Sequence, residues 1–131
     1  MSLNTIAAWH DLVKNRNVKG LAAVLADNCV FHSPIVHTPQ VGKAITKKYL
    51  LAAFHVLDTG QFRYVGEWYG EQSAVLEFET AIGDVQVNGV DMLEWNASGQ
   101  ITKFKVMLRP VKALQTVVPL MAQALQGGTR S

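Results

Sequence analysis

Apolar residues recur at helical spacing from the start of the chain. Leu3, Ile6, Trp9, Leu12 and Val13 share a face, and in NRNVKGLAAVLADN a polar break is followed by a second, shorter apolar period. Two helices are expected there. CVFHSP then reads as a short strand stopped by Pro34, because proline lacks the N–H that a ladder requires. Beyond a loop at 35–41, GKAITKKYLLAAFHVL places Ile45, Tyr49, Ala52, Ala53 and Val56 on one stripe, predicting a third helix ended by residues 58–60.

The second half changes period. QFRYVGEWYG, SAVLEFETAIG, VQVNGVDMLEW and ITKFKVMLRP are rich in aromatic and β-branched residues, and short turn segments separate them. Four strands in an antiparallel meander are expected. Leu76, Phe78 and Thr80 alternate with Glu77 and Glu79, and Phe104, Val106 and Leu108 alternate with Lys103, Lys105 and Arg109. One face is therefore core, and the other can carry cross-strand ion pairs. VKALQTVVPLMAQALQ resumes a helical stripe through Val111, Leu114, Val118, Met121 and Leu125, with Pro119 expected to kink or split it. The elements predict an α+β fold, a cone of N-terminal helices packed on a curved antiparallel sheet with a C-terminal helix. A single domain over 1–126 and a flexible tail at 127–131 are expected. One helix cannot fill the concave face of a long bent sheet, so a pocket or a packed core is expected inside the cone.

Composition narrows the function. Twelve basic and ten acidic residues give a formal charge of +2, without a run of like charges suited to a phosphate backbone, so nucleic acid is not expected as a partner. No apolar run approaches the ~20 residues that cross a bilayer, so no membrane association is expected. The lone Cys29 cannot form an internal disulfide, and the N-terminal charges come too early for a signal peptide. A cytoplasmic location is expected.

Asp91 is the candidate that pattern alone singles out. It shares a strand face with Val87, Gly89, Leu93 and Trp95, so it is expected to be buried or to line a cavity. Burial would raise its pKa and favour the neutral donor form, suited to a carbonyl or oxyanion; the alternative is an aspartate that only holds the fold. Trp9 faces inward with Leu12 and Val13, and its indole is a donor only. Tyr49, Phe54, Phe62, Tyr64, Trp68, Phe78 and Phe104 supply aromatic walls to a core or a pocket. His32 and His37, five apart across a proline, fit no metal spacing, so no metal is expected. His10 and His55 read as helix-surface or packing residues. Arg109 is expected in a sheet-face ion pair, and Cys29 has no activating cation nearby.

LADNCVFHSP, VGKAITKKYL and GVDMLEWNASGQITKFKVMLRP together resemble the nuclear transport factor 2-like superfamily, in its SnoaL-like branch, which is similar to ketosteroid isomerases. The resemblance runs from about residue 3 to 125 and implies a cystatin-like cone. It places Trp9 where isomerases have an oxyanion-hole tyrosine, Ser33 where they have the base aspartate, and Asp91 at a second oxyanion-hole acid. Ketosteroid isomerase is itself the standard illustration of a carboxylic acid kept neutral by an apolar site. Register from the resemblance turns Phe31 and Ser33 inward and His32 away. Serine lacks useful basicity, so a steroid isomerase is not expected, and His37 becomes the substitute base. The candidate catalytic residues are thus Asp91 and His37. The candidate ligand contacts are Trp9, Phe31, Ser33, Tyr49, Phe78, Phe104 and Leu108. Two functions follow: a protein for a small apolar molecule that isomerises, cyclises or hydrates it without a cofactor, or a non-catalytic interaction domain. The resemblance also implies a homodimer through the outer sheet face.

Overall fold

The computed structural model describes residues 2–128. The Leu3 side chain and the expected tail beyond 128 lie outside the described residues. Helix α1 (Ser2–Asn15) buries Ile6, Trp9 and Leu12. Arg16, left-handed at φ 51°, ends it. A 3-10 turn (Val18–Gly20) and a four-residue helix α2 (Leu21–Val24) follow, so the second expected helix is only one turn long. LADN, read from its pattern as the tail of that helix, instead opens strand β1 (Leu25–His32), where Leu25 and Ala26 are buried.

The two-residue strand β2 (Gln40–Val41) pairs with β1 and leads into α3 (Lys43–Leu57). Gly42, at φ 114°, makes that junction; its N–H bonds the Cys29 carbonyl at 2.8 Å, and Thr46 Oγ1 donates to the same oxygen at 3.3 Å. The meander is β3 (Arg63–Tyr69), β4 (Ser73–Ile82), β5 (Val85–Trp95) and β6 (Ile101–Arg109), followed by α4 (Val111–Gly128). The sheet order is β2-β1-β6-β5-β4-β3, antiparallel except for the parallel β1–β6 pair. Register shifts in β1, between Tyr64 and Gly66 and between Glu94 and Trp95 bend it.

Alternation places Leu76, Phe78 and Thr80 of β4, Asp91 and Leu93 of β5 and Phe104 and Val106 of β6 inside, as the sequence predicts. The helical stripes differ. In α3 Ala52 and Val56 are buried as expected, but Thr46, Leu50 and Leu57 take the other core positions while Ile45, Tyr49 and Ala53 are only partly buried. In α4 they are Ala113, Val117 and Met121, whereas Val111 and Val118 are exposed. That helix is apolar on two sides, and packing against α3, β5 and β6 selects one of them. It runs unbroken through Pro119. Arg109 makes no ion pair among the described residues; its Nη1 donates to Asn88 Oδ1 at 3.3 Å. No described helix is long and apolar enough to cross a membrane.

Candidate functional site

Four neighbouring strands surround the polar centre. Leu76, Asp91 and Val106 are register partners across β4, β5 and β6, and Tyr64 is opposite Phe78 across β3 and β4. Gly89, two residues before Asp91, makes room for Phe78: a Cβ there would lie 2.6 Å from Phe78 Cζ. Asp91 is therefore held on an inner face whose neighbours are apolar, and it is 7 % exposed.

A directed chain of hydrogen bonds ends on this acid. Trp9 Nε1 donates to Tyr64 Oη at 2.9 Å, and Tyr64 Oη donates to Asp91 Oδ2 at 2.6 Å. Asp91 Oδ1 has no hydrogen-bond partner among the described residues. No fully shielded side-chain oxygen there lacks one, so Oδ1 keeps some open surface. Burial raises the Asp91 pKa to about 7, partly offset by the bond from Tyr64. Burial, then the charge of Asp91 and its bond, push the Tyr64 phenol well above its usual value, so it stays a donor at neutral pH. His10 meets the Tyr64 ring edge-on at 5.0 Å and contacts Glu67, which also accepts from Tyr69.

Asp91 lines a cavity of about 310 Å³ between α1, α3 and the sheet. Trp9, Phe54, Phe62, Phe78, Phe104 and Val106 form much of its wall, with Phe62 stacked on Phe78 at 5.0 Å. Leu50, Leu51 and Leu57 face it from α3. Arg16, His55 and Asp58 also line it and form the more open rim. There Arg16 Nε lies 2.6 Å from Asp58 Oδ2, tying the end of α1 to the end of α3.

Of the residues expected at a site, Trp9, Phe78, Asp91 and Phe104 line this cavity. Trp9 reaches Asp91 through Tyr64 rather than directly. Phe31 is buried behind the wall, 6.2 Å from Phe104, with Tyr49 5.3 Å beyond it. Leu108 packs near Gly89 and is not on the lining. Ser33 is also off it: its Oγ accepts the N–H groups of Ile35 at 3.0 Å and Val36 at 3.3 Å, closing the turn around Pro34. His37 stands exposed in the following loop, away from Asp91's cavity. His32 sits on the outer face opposite Lys105, and burial followed by Lys103 and Lys105 lowers its pKa. Tyr64, counted by sequence only among the aromatic walls, is the group that orients Asp91. The signal was its even position with Phe62 before the bulge. Among the described residues no cluster of three or more His, Cys, Asp or Glu could hold a metal.

The SnoaL-like domain family matches residues 6–104. The chain belongs to this family, within the nuclear transport factor 2-like superfamily. Its fold agrees with that of a steroid delta-isomerase from Pseudomonas aeruginosa at 30% identity and a TM-score of 0.92, covering 99% of this chain and 95% of that one. An uncharacterised bacterial protein with a cystatin-like fold from Silicibacter pomeroyi is 26% identical, covering 94% and 83% of the two chains at a TM-score of 0.79. A nuclear transport factor 2-like protein of unknown function from Mesorhizobium loti shares the fold at 14% identity, with a TM-score of 0.71 over 83% and 91%. No curated protein matches the sequence.

Proposed function

We propose that this SnoaL-like domain binds a small apolar molecule bearing a carbonyl oxygen, and that neutral Asp91 donates a hydrogen bond to that oxygen. The observation that carries this reading is the division of labour at Asp91: Oδ2 is held by Tyr64, while Oδ1 has no partner and the residue lines an apolar cavity. With a pKa of about 7, roughly half of the molecules present an O–H donor at neutral pH. A cavity of about 310 Å³ is at the small end of the ~300–1,000 Å³ typical of ligand pockets, favouring one or two rings or a slender chain.

The chemistry this supports is isomerase-type. Drawing electron density onto the carbonyl oxygen acidifies the neighbouring C–H. That bond breaks as its proton passes to a base on the lining, its electrons pass into an enolate whose oxygen is held by the Asp91 O–H, and the base returns the proton at the far carbon as the double bond moves. His55, the imidazole on the cavity lining, is the proton carrier in this scheme, the part sequence reading gave to His37. The likeness to a steroid delta-isomerase makes a β,γ-unsaturated ketone the first substrate class to try. The test is calorimetric binding of α-tetralone across pH, with conversion of a β,γ-unsaturated cyclohexenone followed by ultraviolet absorption. Affinity should be constant at acid pH and fall about tenfold per unit above pH ~7, a dependence that Asp91→Asn abolishes. Binding by the native chain that ignores pH would sink the proposal.

We also infer a homodimer through the outer sheet face. Sequence alternation made that face polar, with Glu77, Glu79, Lys103 and Lys105, but its middle is apolar. Trp68, Val75 and Met92 form one cross-strand row, and Val90 and Met107 adjoin it; Trp68 and Met107 are 57% and 51% exposed.

A further inference from the structure

The two longest helices bear no acidic residue. Lys43, Lys47, Lys48 and His55 lie on α3 and Lys112 on α4, so these two helices of a nearly neutral chain are one-sided in charge. Between these helices runs a groove of about 960 Å³. Ala52, Val56, Leu120 and Ala124 contribute apolar surface, and Lys47 and Lys48 are its charged members. Both lysines are half-buried, and neither has an ion-pair or hydrogen-bond partner among the described residues. Lys43, one turn earlier, pairs with Asp27. Leu51 and His55, four residues apart on α3, line both this groove and the cavity that holds Asp91.

We propose that the groove continues the ligand site, and that its occupant is an amphipathic carboxylic acid whose carboxylate pairs with Lys47 and Lys48. The apolar body of that acid passes Leu51 and His55, and its far end enters the cavity toward Asp91. An unpaired ammonium beside apolar surface suits a carboxylate on an apolar chain, since the chain covers the groove while the head completes the missing pair. The absence of any acid on either helix leaves no competitor for the two lysines within the groove. This deepens the proposed function by naming a substrate class, and it rests on that reading only for the end placed at Asp91.

The test uses laurate, methyl laurate and α-tetralone with the full chain. Laurate should bind more tightly than its ester, and Lys47→Ala combined with Lys48→Ala should weaken laurate about tenfold or more, the worth of one charge-assisted hydrogen bond. The same variant should leave the ester and α-tetralone unchanged, which also certifies its fold. Laurate should compete with α-tetralone. Equal affinity for acid and ester, or simultaneous binding of laurate and α-tetralone, would overturn the proposal. Lysine-dependent binding to phosphatidylglycerol vesicles without laurate binding would assign the cationic helices to a membrane surface and overturn it equally. Failure of the Asp91 reading has a separate signature: α-tetralone binding indifferent to pH while the lysine effect on laurate persists.

Discussion

Replacing Asp91 by asparagine should change the pH dependence of stability more than stability at any acid pH. An unfolded aspartate loses its proton near 3.8, whereas folded Asp91 retains it to about 7. Between these values the folded state binds one more proton than the unfolded state, so each pH unit removes ~1.4 kcal/mol of stability. The contribution is complete below about pH 4, declines through this window and is level above pH ~7. A span of about three units amounts to about 4 kcal/mol, a large share of the ~5–15 kcal/mol typical of a domain. Asparagine keeps an acceptor for Tyr64 and has no proton to lose. Urea unfolding of both proteins from pH 4 to 8 isolates the effect, because other carboxylates and histidines cancel in the difference. Relative to the native chain, the variant should gain about 4 kcal/mol between those limits. A difference constant to about 0.5 kcal/mol, or one of opposite sign, would refute the claim that burial holds Asp91 protonated.

Tyr64→Phe removes the bond that lowers the Asp91 pKa and strips the acceptor from Trp9; the pH at which α-tetralone binding fades should rise, and urea unfolding should show a loss of about 1–3 kcal/mol. Gly89→Ala should cost a similar ~1–3 kcal/mol in the same assay, since its Cβ would meet the Met107 carbonyl oxygen at 2.7 Å, a backbone atom with no rotamer to move aside. Trp68→Glu should convert a dimer to a monomer in sedimentation with an unchanged circular dichroism spectrum. An association state unaffected by that charge would count against the outer-face interface.

The sheet was the most legible part of the fold. A period of two has only two faces, so the alternation of Leu76, Phe78 and Thr80, and of Val87, Asp91 and Leu93, settled which side chains turn inward. The same logic marked Asp91 as an inward acid. Helices were less legible. Both sides of α4 are apolar, and its Val111–Val118 side and Ala113–Val117 side differ only in what packs on them. The 25–28 stretch had no decisive period, and pairing of Leu25 with Ile101 drew it into β1.

The candidate site divides along the same line. Trp9, Phe78, Asp91 and Phe104 lie within regular elements whose inward faces close on the cavity, whereas Phe31, Tyr49 and Leu108, equally regular, pack off the lining because their positions along those elements fall beyond it. Ser33 and His37 were misplaced as cavity residues because both follow the strand end. There a serine hydroxyl closes a turn with the N–H groups of Ile35 and Val36 instead of continuing the alternation. The bulge between Tyr64 and Gly66 is equally local and carried no strong signature, yet it separates an inward Tyr64 from an outward Trp68.

Beyond β2 and the start of β1, which it missed, the bare chain was enough to place the main helices, the meander strands with their inward face, and one acid among apolar neighbours. These depend on periodicity, which is a property of the chain. Packing between elements was needed to bring Trp9 to Tyr64 fifty-five positions away, to let Tyr64 hold one oxygen of Asp91 and leave the other unpartnered, and to set Leu51 and His55 between a cavity and a cationic groove. Distances between side chains from different elements depend on how those elements pack, and no repeat along the sequence encodes them.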